Sequence, residues 1–196
     1  RYAGLTIRPQ MGLLPLGRDA ESGLWEFLHV ASGGAPRVDG AGALAEDAGI
    51  VLVLIPGARV DLGAQSLDAT RPGYDPEAQP SEWTQGPDGP DLLHAILAPF
   101  FIGKHEVTQA QWRRIAGRSP SGYTASLYPA HVRSTLHPAE SIDWHAARAA
   151  LSAVGLTLPT EAQWEYAARA GSASSWWTGT SRESLWRAAN LADVRY

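Results

Sequence analysis

Leu158–Gly171 reads L-P-T-E-A-Q-W-E-Y-A-A-R-A-G and spells out a helix from cap to stop. Thr160 stands where a hydroxyl can accept from an unpaired N–H of the first turn. Gln163 follows three residues later and completes a capping box. Glu161 places negative charge at the positive end of the helix dipole. Trp164, Ala167, Ala168 and Gly171 recur at i, i+3, i+4 and i+7, which predicts a narrow packing face. Glu165 and Arg169 are spaced for an exposed i, i+4 ion pair. Gly171 suits the left-handed position that ends a helix.

The same opening occurs earlier, as T-Q-A-Q-W at 108–112 against T-E-A-Q-W at 160–164. Gly117 stops the earlier helix. The flanks of the two pentapeptides do not match, so two helices solving one start problem is preferred to an internal repeat. A third helix is predicted between them. Asp143 caps it, Ala147, Ala150, Leu151 and Val154 form its apolar stripe, and Gly155 ends it.

Outside these helices the chain is less regular. Met11–Leu16 and Leu24–Val30 are short apolar runs joined by turn-forming residues, which predicts a β-hairpin. Residues 31–47 are rich in Gly, Ala and Pro and read as a linker. Ile50–Ile55, I-V-L-V-L-I, reads as a buried strand closed by Pro56-Gly57, and Ala58–Leu62 as a half-buried continuation. Residues 66–91 form a loop with five prolines and six acidic residues. Calcium favours such oxygen ligands, but the spacing matches no defined metal loop, so a solvated loop is expected. Leu92–Ile102 returns to strand character, 119–138 is irregular, and 172–196 is loop-rich. Short strands, short helices and long ordered loops make an α+β domain.

The 196 residues carry a formal charge of −4, which offers no field to draw nucleic acid or an acidic membrane. Arg113, Arg114 and Arg118 are the one dense basic cluster, expected to be a solvated helix face. There is no cysteine, which excludes disulfides and thiolate chemistry within these residues. No stretch approaches the apolar length of a membrane helix. The start at Arg1 shows no signal-peptide pattern and reads as an internal point of a longer chain. Of eight tryptophans, six fall between Trp112 and Trp186, and such wide rings with one polar N–H suit a loop-rich fold whose core forms under irregular segments.

Four blocks together resemble the formylglycine-generating-enzyme/sulfatase-modifying-factor family. They are I-P-G-A-R-V-D-L-G at 55–63, P-F-F-I-G-K-H-E-V-T-Q-A-Q-W at 99–112, H-P-A-E-S-I-D-W at 137–144, and the 158–171 helix with W-W-T-G at 176–179 and A-A-N-L at 188–191. The match spans 48–196 and covers the N-terminal part of the family domain. It implies a loop-rich, C-type-lectin-like fold of the sulfatase-modifying type, incomplete at the C-terminus, with calcium as a structural ion. Residues 1–47 resemble the extension of bacterial multidomain members, including some with a fused kinase domain upstream. Such a setting is bacterial, either cytoplasmic or membrane-associated through other segments.

Active members oxidise a substrate cysteine to formylglycine with oxygen and copper held by paired cysteines. Other members act on small thiols or amines with iron, or are non-catalytic binding modules. The copper cysteines belong to the C-terminal part of the domain, so copper enters only through residues outside this chain and no catalytic residue is assigned here. Asn190 and Leu191 match the position that opens a calcium site, where a side-chain oxygen and a carbonyl are suitable hard ligands. Two departures stand out. The interval 119–136 is short and lacks the tryptophan-containing insertion of authentic formylglycine-generating enzymes, and Thr157 replaces the usual Arg. His131, His137 and His145 form the closest histidine group, but no helix-borne i, i+4 pair results, so they read as structural. Two functions follow as alternatives: a formylglycine-generating oxidase acting on a peptide or protein substrate, or a non-catalytic lectin-like module binding a ligand or peptide.

Overall fold

The apolar runs become strands, and Pro56, Gly63 and Pro99 fall at or next to three of their ends. The computed structural model describes residues 2, 4–37, 45–71, 73–78, 85–86, 89–90, 93–186 and 188. It divides into two units, Arg1–Pro56 with Pro99–Leu158, and Gly57–Ala98 with Pro159–Tyr196.

In the first unit, β1 (Leu13–Arg18) and β2 (Trp25–His29) form the predicted hairpin, with a bulge between Pro15 and Gly17. β2 pairs with β3 (Val51–Ile55), so the hairpin belongs to the same antiparallel sheet as the I-V-L-V-L-I strand. Leu52 and Leu54 alternate inward along β3, as a period of two requires. Phe27 pairs opposite Leu52, and its ring meets Phe101 edge-on at 5.1 Å. The linker expected at 31–47 is anchored at both described ends. Ser32 is fully buried, its hydroxyl donating to His29 O and accepting from Ile50 N. Gly33 and Gly49 let two backbones cross here: a Cβ on Gly33 would lie 2.6 Å from Asp47 O.

In the second unit, β4 (Ala58–Leu62) pairs antiparallel with a later strand, Leu93–Leu97, rather than continuing β3. Short strands at Gln85–Gly86 (β5) and Gly89–Pro90 (β6) precede that partner, which is β7. The single strand expected over 92–102 is interrupted at Ala98-Pro99. Its second half, β8 (Phe100–Gly103), is the edge strand beside β3 in the first unit's sheet.

The three helices start where the caps predict. In α1 (Gln109–Ala116), Thr108 Oγ1 accepts from Gln111 N at 3.2 Å and Gln111 Oε1 accepts from Thr108 N at 3.0 Å. In α2 (Trp144–Ala153), Asp143 accepts from Ala146 N at 2.8 Å. In α3 (Glu161–Arg169), Thr160 and Gln163 close the second box. The stripe predicted for α2 holds, with Leu151 buried and Ala147, Ala150 and Val154 half-buried. His29, 5% exposed, donates through Nε2 to Val154 O at 3.0 Å and so ties β2 to the end of that helix.

Gly171 takes the left-handed position after α3 as expected, φ +84°, and Ala170 before it is left-handed as well, φ +49°. Two expectations are corrected. The face of α3 is rotated from the one predicted: Trp164 and Ala168 are exposed, while Glu165, Tyr166 and Arg169 are half-buried. The Glu165–Arg169 pair is therefore not a solvated decoration. Gly63 N donates to Glu165 Oε1 at 2.7 Å, and Arg169 donates to Glu165 at 2.7 Å, to Gly63 O at 2.8 Å and to Ser174 O at 3.0 Å. Lastly, the indoles do not form the core. Among the described tryptophans only Trp112 is buried, and the core is built from residues such as Leu28, Ile50, Leu52, Leu54 and Val132.

Candidate functional site

Helix α1 turns two adjacent stripes toward two neighbouring cavities, both within the first unit. Trp112 and Ala116, spaced i, i+4, face a cleft against α2. Gln109 and Arg113, spaced the same way, face a second pocket. The wall between them is the segment Arg118–Ser121. Pro120 holds the residue before it extended, and successive side chains alternate sides. Arg118 and Pro120 line the cleft, whereas Ser119 and Ser121 line the pocket.

The cleft measures about 330 Å³. Its lining combines apolar side chains, among them Trp112, Ile142, Ala146 and Ala149, with the polar Arg118, Ser141 and Asp143. An apolar pocket with a few convergent polar groups is the usual shape of a ligand site. Trp144 follows Asp143 and is exposed, with the Arg148 guanidinium 5.2 Å from its ring centre and His145 edge-on at 5.1 Å.

Ser141 sits at φ +60°, a conformation that costs a side-chain-bearing residue about 1–2 kcal/mol. The surroundings hold it there. Its hydroxyl donates to Glu140 Oε2 at 2.5 Å, and Glu140 Oε1 accepts from Tyr123 N at 2.9 Å. Glu140 N in turn donates to the Ser121 hydroxyl at 3.3 Å. The Ser141 hydroxyl, then the Tyr123 and Gly122 N–H groups, hold the Glu140 carboxyl below its ordinary range. Strain of this kind concentrates at functional sites. Nothing in the periodicity of the sequence marks Glu140 or Ser141. Their signal is membership of the H-P-A-E-S-I-D-W block, between Pro138 and the cap at Asp143.

The residues singled out from sequence fare differently. Asn190 and Leu191 lie outside the described residues. The three histidines are not brought together as ligands, and among the described residues no group of His, Cys, Asp or Glu is placed to hold a metal ion. His137 instead accepts Gln109 N–H at its backbone carbonyl, 2.9 Å away. In the acidic loop, Asp68 accepts from the Thr70 N–H and hydroxyl, and buried Gln65 organises the turn by bonding residues 67, 68 and 71. Arg113, Arg114 and Arg118 are all exposed, as expected of the cluster, but they do not share one role. Arg114 donates to Ser32 O at 3.0 Å and Glu46 O at 2.6 Å, while Arg113 and Arg118 serve different cavities. Among the described residues no helix is long and apolar enough to cross a membrane.

Comparison with known proteins agrees with the four sequence blocks. The family model for the sulfatase-modifying factor enzyme 1-like domain matches residues 46–196. A formylglycine-generating enzyme of Streptomyces coelicolor is 35% identical over 104 residues, covering 52% of this chain and 29% of that protein. The chaperone protein LppX of Paenibacillus barcinonensis is 31% identical over 112 residues, covering 41% of this chain and 40% of that protein. The chain thus spans well under half the length of either relative. No solved structure matches it. With the matched region taking in the cleft, its strained Ser141 and all three capped helices, the chain belongs to the sulfatase-modifying factor enzyme 1-like domain family.

Proposed function

We propose that this domain recognises an extended polypeptide segment at the α1–α2 cleft, seating one apolar side chain against Trp112 and Ile142. The carrying observation is the cleft itself: a lining that mixes apolar side chains with Arg118, Ser141 and Asp143, and a backbone held under strain at Ser141. The names of the relatives support a polypeptide ligand, since one is a chaperone protein and one a formylglycine-generating enzyme. Its test is titration with a peptide bearing a sulfatase-type cysteine motif, followed by the emission of the exposed tryptophans. Saturable change in the parent chain, lost in Ala149→Trp, is expected. Equal binding by Ala149→Trp would remove the cleft from the mechanism.

For the whole protein, the 35% identity to a formylglycine-generating enzyme favours oxidation of a substrate cysteine as a second reading. With no cysteine in these 196 residues, paired thiolates for copper would come from outside them. The 119–136 interval, short and without tryptophan, favours the non-catalytic binding module. A copper-dependent assay for aldehyde on the same peptide separates the two. We propose as well a C-type-lectin-like type of fold and a kinase domain upstream of it. Structural calcium at Asn190 and Leu191 belongs to this proposal too, its donor set of one amide oxygen and one carbonyl suiting a hard cation. Calcium should raise the melting midpoint of the parent chain and leave Asn190→Ala unmoved.

A further inference from the structure

The pocket on the other side of the Arg118–Ser121 wall has a different chemistry. It measures about 290 Å³, near the lower end of ligand pockets. Its lining carries one guanidinium, from Arg113, together with serine and threonine hydroxyls and the Gln109 amide, and no carboxylate. The hydrogen bonds already made there leave donors over. Ser121 Oγ accepts from both Glu140 N at 3.3 Å and Ser119 Oγ at 3.2 Å, so its own proton remains to be given. Ser134 Oγ accepts from Leu136 N at 3.3 Å and likewise keeps its proton. Thr124 and Ser126 share one hydrogen bond at 2.9 Å, which leaves one further O–H between them. The donors of the first turn of α1 are spent elsewhere, on His137 O, Thr135 O and Thr108 Oγ1, so the helix end is not the attraction.

Two carboxylates stand near but do not line the pocket. Glu46 accepts from Thr135 N at 2.9 Å, and Glu140 accepts from Tyr123 N. Glu46 feels the charge of Arg113. Each is engaged by backbone N–H, and the cavity wall itself presents one cation and several O–H donors. A neutral sugar could use the same hydroxyls and the Gln109 carbonyl oxygen, so it is the Arg113 charge, with no carboxylate in the lining, that favours an anion.

We infer that this pocket binds a small tetrahedral oxyanion, phosphate or sulfate, with Arg113 supplying the charge and the Ser121 and Ser134 hydroxyls the orientation. The anion reaches it free or as an ester on a peptide. The site lies across the Arg118–Ser121 wall from the peptide cleft. It also gives a use to the interval 119–136, whose short, hydroxyl-rich sequence builds most of the wall.

The test is an NMR titration of the full chain with inorganic phosphate, then sulfate, at constant ionic strength. Saturable amide shifts confined to 109–113, 119–126 and 134–135 are expected. Arg113→Gln should weaken binding about tenfold, the scale of one charge-assisted contact. If that variant fails to fold, Arg113→Lys and Ser134→Ala carry the test, each weakening binding while the far-ultraviolet spectrum is unchanged. Ala149→Trp, which fills the neighbouring cleft, should bind phosphate as the parent does. A phosphoserine peptide binding tighter than inorganic phosphate assigns the ester, and equal affinity assigns the free ion. No saturable shift, equal affinity in every pocket variant, or an equal response to neutral methyl glucoside would overturn the inference.

Discussion

Helices α1 and α3 open with nearly the same five residues and end in different places. Both close a capping box with the same atoms, 3.2 Å and 3.0 Å in each. Yet Trp112 is 5% exposed and Trp164 is 62% exposed, at the same position of the pentapeptide. The glutamines diverge too. Gln111 donates to Ala48 O at 3.2 Å besides closing its box. What T-x-A-Q-W encodes is therefore where a helix starts. Which face it buries is set by what the rest of each unit brings to it: an apolar wall for α1, and the Gly63 peptide for α3.

The sharpest way to break this contrast is to remove both indoles. Trp112→Ala should cost about 3–5 kcal/mol of stability, the range for deleting a buried aromatic ring. Trp164→Ala should stay within about 0.5 kcal/mol, as exposed substitutions do. Urea unfolding followed by circular dichroism reads both without relying on tryptophan emission. Similar costs would mean that the pentapeptide, and not its surroundings, fixes burial.

A second test concerns what holds α3 instead. Arg169, its side chain 16% exposed, bonds Glu165, Gly63 O and Ser174 O together. Arg169→Met should cost about 2–3 kcal/mol, because it leaves a half-buried carboxylate and two carbonyls without their donor. A cost near the few tenths typical of an exposed i, i+4 pair would restore the solvated reading of this face. The same measurement on Trp164→Ala then shows whether α3 depends on polar bonds more than on its indole.

The same two helices separate what is legible in the sequence from what is not. Caps at Thr108, Asp143 and Thr160 are legible because each depends on atoms within three residues. The stripe of α2 is legible because its period and its burial coincide. The face of α3 is not, since Trp164 looks like a core residue to any hydrophobic count, while Glu165 and Arg169 look like surface. Their role depends on Gly63, a hundred residues away along the chain. The two cavities are hidden for the same reason. Residues 118–121 and 140–141 are too short to show a period, and their meaning lies in the alternation of one wall and the strain of one serine. The break at Ala98-Pro99 is written in the proline, but not the fact that the two halves join different sheets.

The caps themselves should behave alike. Thr108→Ala and Thr160→Ala each remove a hydroxyl that accepts the N3 amide, and each should cost about 1 kcal/mol. Equal losses, measured by thermal unfolding, would show that the start signal is local in both helices. A markedly larger loss at Thr108 would mean that the buried glutamine of α1 depends on its box, so that cap and core are coupled there.

The smallest effect expected is a dependence on pH around α1. Glu46 lies beside this helix: its carbonyl accepts from Arg114, and its carboxylate accepts from Thr135 N at 2.9 Å. The Thr135 N–H, then the Thr135 hydroxyl, and more weakly the charge of Arg113, hold the Glu46 carboxyl below 4.5. A carboxyl depressed in the folded state contributes stability that is present above its unfolded value and is lost as pH falls through its folded value. Acidification below pH 4.5 should therefore loosen the Glu46–Thr135 contact. A carboxyl NMR titration should place the Glu46 midpoint below 4.5. Thr135→Ala should raise it without bringing it to 4.5, because the backbone N–H is the larger cause and survives the substitution. A parent midpoint at or above 4.5 would remove this contact from what distinguishes α1, leaving its apolar wall and the Gln111–Ala48 bond to account for the difference from α3.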